Sequence, residues 1–219
     1  MVRLSKRMDK IYLTSPKSFK EVEPLPMIEF ERVADSIDFN GVDTLMFTSK
    51  QAVKTANIID KRWREFESIA IGPATKKAIL EFGGRVLFQP KEFYGKELAK
   101  DILKNFKNRK ILYLRPRKIT FDSKSFLRGY GIDLREQIIY QTNCKNYFLD
   151  KKPPKNSIIV FTSPSTIECF LKNFGWDESF RAVVIGKSTL EHLPKDTKFK
   201  IAPTPSIQAC VKTAFDWAN

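Results

Sequence analysis

The chain has 219 residues, 42% of them hydrophobic and 12% aromatic, enough for one large domain or two small ones with real cores. Its 39 Lys and Arg against 25 Asp and Glu leave a net charge of +14, which predicts attraction to polyanions and salt-dependent encounters. Three scattered cysteines (Cys144, Cys169, Cys210) and the single His192 make no zinc set, so no metal is expected, and no apolar run approaches the roughly 20 residues of a membrane span.

The first ten residues are basic but lack the apolar core of a secretory signal. An odd cysteine count without such a signal suits a reducing cytoplasm. Residues 10–15 (KIYLTS) predict a first strand, stopped by Pro16, and residues 27–33 a second, with little room for a helix between them. Polar residues at 35–40, then Gly41, mark a transition.

From there strand and helix alternate. Strands are predicted at 42–47, 85–89 and 110–115, and helices at 50–59, 75–82, 95–106 and 122–128, with Gly83-Gly84 as a helix stop. Residues 132–142 form a long extended run, and KKPPKN at 151–156 is a Pro-rich surface turn. Strands at 157–162, 182–185 and 198–202 then alternate with helices at 165–173, 188–193 and 206–217. Such alternation predicts parallel α/β units.

Two signatures occur twice at one separation. Phe47-Thr48-Ser49-Lys50-Gln51-Ala52-Val53 is followed 24 residues later by Ile71-Gly72-Pro73-Ala74-Thr75, and Phe161-Thr162-Ser163-Pro164-Ser165-Thr166-Ile167 is followed at the same interval by Ile185-Gly186-Lys187-Ser188-Thr189. The offset is 114 residues at both, so the chain reads as two related halves. The second copy needs further strands to complete a sheet, and the amino-terminal strands are the available supply. The expected layout is a discontinuous α/β lobe of residues 1–34 plus 142–219 and an inserted α/β lobe of residues 35–137. Extended linkers near 29–35 and 136–142 would run side by side as a hinge, and a cleft between two lobes is a common ligand site.

Each signature is a strand-to-helix turn, which places backbone N–H groups and small hydroxyls at the carboxyl end of a parallel sheet, where anions are favoured. Ser49, Thr75, Ser163 and Thr189 serve there as helix caps or as contacts to ligand carboxylates. Ser165 and Ser188 each have Glu three residues on (Glu168, Glu191), the spacing of a capping box, which would occupy their hydroxyls. In the basic segment 104–128, with Asp122 as its one acid, Arg115 and Arg117 directly follow a strand and can grip carboxylates or form a solvated basic face. Lys187 opens a helix, against the helix dipole, and a bound anion or plain exposure would relieve that. His192, Trp63, Trp176 and Trp217 receive no role.

The order FTS, IGPAT, Tyr140-Gln141-Thr142, FTSPST and IGxxT, with LPMIEFE at 25–31, resembles the uroporphyrinogen-III synthase family over residues 11–217. The resemblance implies a bilobal α/β enzyme with a two-stranded linker and no cofactor. It implies closure of the linear tetrapyrrole hydroxymethylbilane, with loss of water and inversion of the last ring through an azafulvene and a spiro intermediate. Uncatalysed closure gives the uninverted isomer, so selecting inversion is the function. Carried onto this sequence, the likeness points to Ser49, Thr75, Ser163, Ser165, Thr189 and the turn glycines Gly72 and Gly186 as substrate contacts, with Thr14, Arg115 and Lys187 beside them. Tyr140 is the expected hydrogen-bond or proton donor to the departing hydroxyl. Thr14-Ser15-Pro16 departs from the usual Thr-Arg-Pro, residues 17–24 replace a longer helix, and Lys187 stands where Pro is frequent. A monomer is expected, with transient contact to the preceding enzyme of the pathway. The alternatives are a basic nucleic-acid-binding protein, which lacks helix-turn-helix, zinc-finger and RNP-like signatures, and a noncatalytic two-lobed anion receptor.

Overall fold

The computed structural model describes residues 9–218, so the basic start of the chain lies outside it for its first eight residues. In chain order come β1 (Ile11–Leu13), β2 (Glu23–Pro24), β3 (Ile28–Arg32), β4 (Thr44–Phe47), α1 (Lys50–Ile59), β5 (Glu67–Ala70), α2 (Pro73–Glu81), β6 (Arg85–Phe88), α3 (Gly95–Asn105), β7 (Ile111–Pro116), α4 (Ser123–Arg128) and β8 (Arg135–Cys144). They are followed by β9 (Ile158–Phe161), α5 (Pro164–Phe174), β10 (Arg181–Val184), α6 (Lys187–Leu190), β11 (Lys198–Ile201) and α7 (Ile207–Ala218). The chain divides into two compact units, Phe30–Thr142 and the combination of Met1–Glu29 with Asn143–Asn219.

The inserted unit is built on a sheet of order β3-β8-β7-β4-β5-β6, with parallel pairing from β8 through β6. All four residues of β4 are buried, as a central parallel strand covered on both faces requires. Leu45 and Phe47 enter one core with Trp63 and Ile79, and Met46 enters the other with Ile69, Leu98 and Tyr113. Each large apolar side chain fully removed from water contributes about 1.5–3 kcal/mol. Gly83 and Gly84 end α2 for two reasons. Gly83 has φ +80, and a Cβ on Gly84 would stand 2.4 Å from the Trp63 ring.

The discontinuous unit has the order β11-β10-β9-β1-β2, all parallel, so β1 lies beside β9 although the two are far apart in sequence. The same alternation holds, with Ile159 and Phe161 facing one core and Ile158 and Val160 the other. No helix separates β1 from β2. The chain passes between the units along β3 and β8, which are neighbours in one sheet.

Three elements differ from the sequence expectation, the first being the two-residue β2, which lies where no element is predicted. β5 has no predicted counterpart, because Glu67 and Ser68 interrupt its apolar run; Ser68 is nonetheless fully buried. The helix expected at 188–193 is a single turn ending at Leu190. His192 and Leu193 donate to Thr189 and Leu190, bonds that reach back only three residues, and Pro194 follows.

The cysteines also depart from three isolated thiols. Cys144, at the end of β8, is disulfide-bonded to Cys169 of α5, and Cys210 alone is free, its thiol pushed up to about 11 by burial. The chain beyond β8 crosses α5 at Asn173, whose side chain donates to the Lys145 carbonyl and accepts from the Tyr147 amide. That crossing brings together cysteines 25 residues apart.

Candidate active site

At the first signature β4 delivers Thr48 and Ser49 to the sheet's carboxyl end. Ser49 is the N-cap of α1, its Oγ accepting from the Ala52 amide at 3.0 Å. The same Oγ is 2.9 Å from the Tyr140 hydroxyl. Tyr140 comes from β8, is 4% exposed, and has its ring edge-on to Phe30 at 5.9 Å between centroids. Burial raises its pKa, partly offset by the Ser49 hydrogen bond.

A second phenol repeats the arrangement from β7. The Tyr113 hydroxyl is 2.7 Å from Thr48 Oγ1, and burial pushes its pKa up to about 12. In sequence Tyr113 is one member of an apolar strand, with little to set it apart as a site residue. Its only signal is a polar tip within the run Ile111-Leu112-Tyr113-Leu114. Thr48, Ser49 and Tyr113 line a pocket of about 190 Å³ together with Lys118, Phe121 and Ser123.

Gly72 is the N-cap of α2, where its carbonyl accepts from the Thr75 and Lys76 amides. A Cβ at Gly72 would approach the Phe93 ring to 3.2 Å, so glycine lets Phe93 close over this turn. Thr75 is buried in the first turn of α2.

The second signature is finished differently. Ser163 is the N-cap of α5 but makes no side-chain cap bond, and its buried Oγ has no hydrogen-bond partner. The Thr166 amide and hydroxyl both donate to the Ser163 carbonyl instead, at 3.1 and 2.7 Å. Gly186 caps the short α6 with open space around its Cβ position, Lys187 is exposed, and Thr189 is buried.

The two expected capping boxes need correction. Neither capping box forms: Ser165 and Ser188 lie inside their helices, after the caps Ser163 and Gly186, and Glu168 pairs with His192 at 3.3 Å. Thr14 is fully buried and donates to the Val160 carbonyl at 2.8 Å, which ties β1 to β9. Arg115 reaches back to its neighbours' carbonyls (Pro116 at 3.0 Å, Arg117 at 3.2 Å) and faces Glu136 at 3.3 Å, so the protein itself neutralises it. Arg117 donates to Gln141 at 2.8 Å. Among the described residues no cluster of metal ligands occurs.

Comparison with known proteins follows the same lines. The family model described as uroporphyrinogen-III synthase HemD matches residues 8–212. The uroporphyrinogen-III synthetase of Helicobacter pylori is 25% identical, with a TM-score of 0.81 over 96% of this chain and 100% of that one. A mutant uroporphyrinogen III synthase from Thermus thermophilus, 13% identical, shares the fold at a TM-score of 0.55 over 96% of this chain and 98% of its own. A search of curated proteins gives no match. With the model matched along nearly its whole length, the chain belongs to the uroporphyrinogen-III synthase HemD family and is a hydro-lyase of porphyrin biosynthesis.

Proposed function

We propose that the residues at the duplicated turns carry this reaction by holding hydroxymethylbilane folded while Tyr140 donates a hydrogen bond to the departing hydroxyl. The observation that carries the reading is the Ser49–Tyr140 hydroxyl pair at 2.9 Å, set at the end of β4 in a chain of this family. A phenol with a raised pKa stays neutral at physiological pH, and such a weak acid favours hydrogen-bond donation over full proton transfer. The acetate and propionate arms of the substrate meet Ser49, Gly72 and Thr75 in one unit. In the other they meet Ser163, Ser165, Gly186, Lys187 and Thr189. Thr14 and Arg115 stand beside these turns as further contacts to the arms.

On this reading the protein works as a cytoplasmic monomer, meets the preceding pathway enzyme transiently, and needs no cofactor. In such a compartment the Cys144–Cys169 bond faces thiol reductants, and Asn173 holds the same crossing without it. The test is to supply freshly generated hydroxymethylbilane and resolve the porphyrin isomers after oxidation. Predominant isomer III is expected. Isomer I alone, at the rate without protein and with the fold verified, would overturn the reading.

A further inference from the structure

The pocket beside Ser49 has a size and lining of its own. Whole-ligand sites span about 300–1,000 Å³. This one holds about 190 Å³, room for one side arm and not for a tetrapyrrole. Its walls combine apolar Ile71 and Phe121 with the hydroxyl-bearing Thr48, Tyr113 and Ser123 and the amine of Lys118, and none of the lining residues is acidic. The nearby carboxylate of Asp122 is turned to α4, where it accepts from the Ser125 amide and hydroxyl at 2.9 and 2.7 Å.

Hydrogen counting gives the pocket its polarity. Thr48 and Tyr113 carry two O–H hydrogens between them, and the 2.7 Å bridge uses one. Whichever residue donates in the bridge, the pair keeps a second hydrogen for another acceptor. Neither hydroxyl ionises at physiological pH, since burial holds the Tyr113 phenol protonated up to about 12. Two hydroxyls that stay neutral and keep a hydrogen to donate suit a carboxylate oxygen.

We infer that this pocket is a subsite for one carboxylate arm of the substrate, with the Tyr113–Thr48 hydroxyl pair as its hydrogen-bond donor. The inference rests on the proposed substrate and adds the place of one arm. It makes Tyr113 a binding residue that acts equally in ground and transition states, so its loss appears in KM and not in kcat.

The experiment is steady-state kinetics with hydroxymethylbilane on Tyr113→Phe, Thr48→Val and the double variant. Wild-type formation of isomer III in the same assay separates failure of the subsite from failure of the substrate assignment. The double variant is expected to raise KM about tenfold, the loss typical of a hydrogen bond to a charged group, with kcat within about twofold and isomer III still predominant. Each single variant should raise KM less, because the remaining hydroxyl can still donate. An unchanged KM in the double variant, or a fall confined to kcat, overturns the subsite. Should the double variant fail to fold, Tyr113→Phe, which keeps the packed ring, decides the question. A rise in KM of about threefold supports the subsite, and no rise overturns it.

Discussion

At the first Phe-Thr-Ser turn the serine hydroxyl caps its helix and touches a phenol, whereas at the second the equivalent hydroxyl is buried with no partner. One difference between the copies bears directly on the cap. Ala52 of the first copy corresponds to Thr166 of the second, and the threonine hydroxyl donates to the carbonyl of Ser163, drawing that turn onto backbone instead of onto Oγ. Duplicated backbone can therefore present different chemistry. The first copy offers a phenol-tuned hydroxyl built into the fold, and the second offers an unengaged one.

The largest expected effect tests the phenol. Tyr140→Phe keeps the ring beside Phe30 and should lower kcat by about 100-fold, far more than removal of any single serine hydroxyl. Wild-type turnover in that variant would remove Tyr140 from the chemistry. Next comes alkaline stability, in which the inserted unit should differ from its relative. Tyr113 titrates near 10 unfolded and near 12 folded, so below pH 10 both states hold the proton and its contribution is intact. Between pH 10 and 12 the unfolded state releases the proton first, and about 2–3 kcal/mol is lost as pH rises through that window. In denaturant melts across this range wild type should lose about 2–3 kcal/mol relative to Tyr113→Phe; a constant difference between the two would contradict the burial argument.

How far the site could be read from sequence follows from the range of its interactions. The turns were legible because their signals are local: an apolar run, a small hydroxyl residue, a helical pattern, all repeated. The helix at 50–59 begins and ends where its capping residue and spacing predict. What stayed hidden depends on partners brought together by the sheets. Glu136 neutralises Arg115 from the adjacent strand, Tyr113 meets Thr48 across a strand pair, and Cys144 finds Cys169 through a crossing near Asn173. Composition also concealed β5, since a buried serine reads as a loop residue until its neighbours are known.

Smaller effects sharpen the contrast between the turns. Ser49→Ala removes a working cap and should cost about 1 kcal/mol in thermal or denaturant unfolding. Ser163→Ala removes a buried oxygen with no partner and should leave stability equal or slightly higher, while weakening substrate binding. Equal losses in the two variants would mean that the two turns use their serine hydroxyls alike. Smallest of all, Gly72→Ala must push back the half-exposed Phe93 ring and should cost under about 1 kcal/mol, with Gly186→Ala within about 0.5 kcal/mol of wild type.

The place of β1 beside β9 has a consequence for how the chain is made. Thr14 bonds to Val160 across 146 residues, so the first strand leaves the ribosome long before its neighbour exists. At roughly 5–20 residues per second that wait lasts about 7–30 s. Throughout it Ile11 and Leu13 lack the strand that will cover them, whereas every strand-forming segment of the Phe30–Thr142 unit has been synthesised by Thr142. A fragment ending at residue 157 and freed from the ribosome should thus carry a folded middle and a loose beginning.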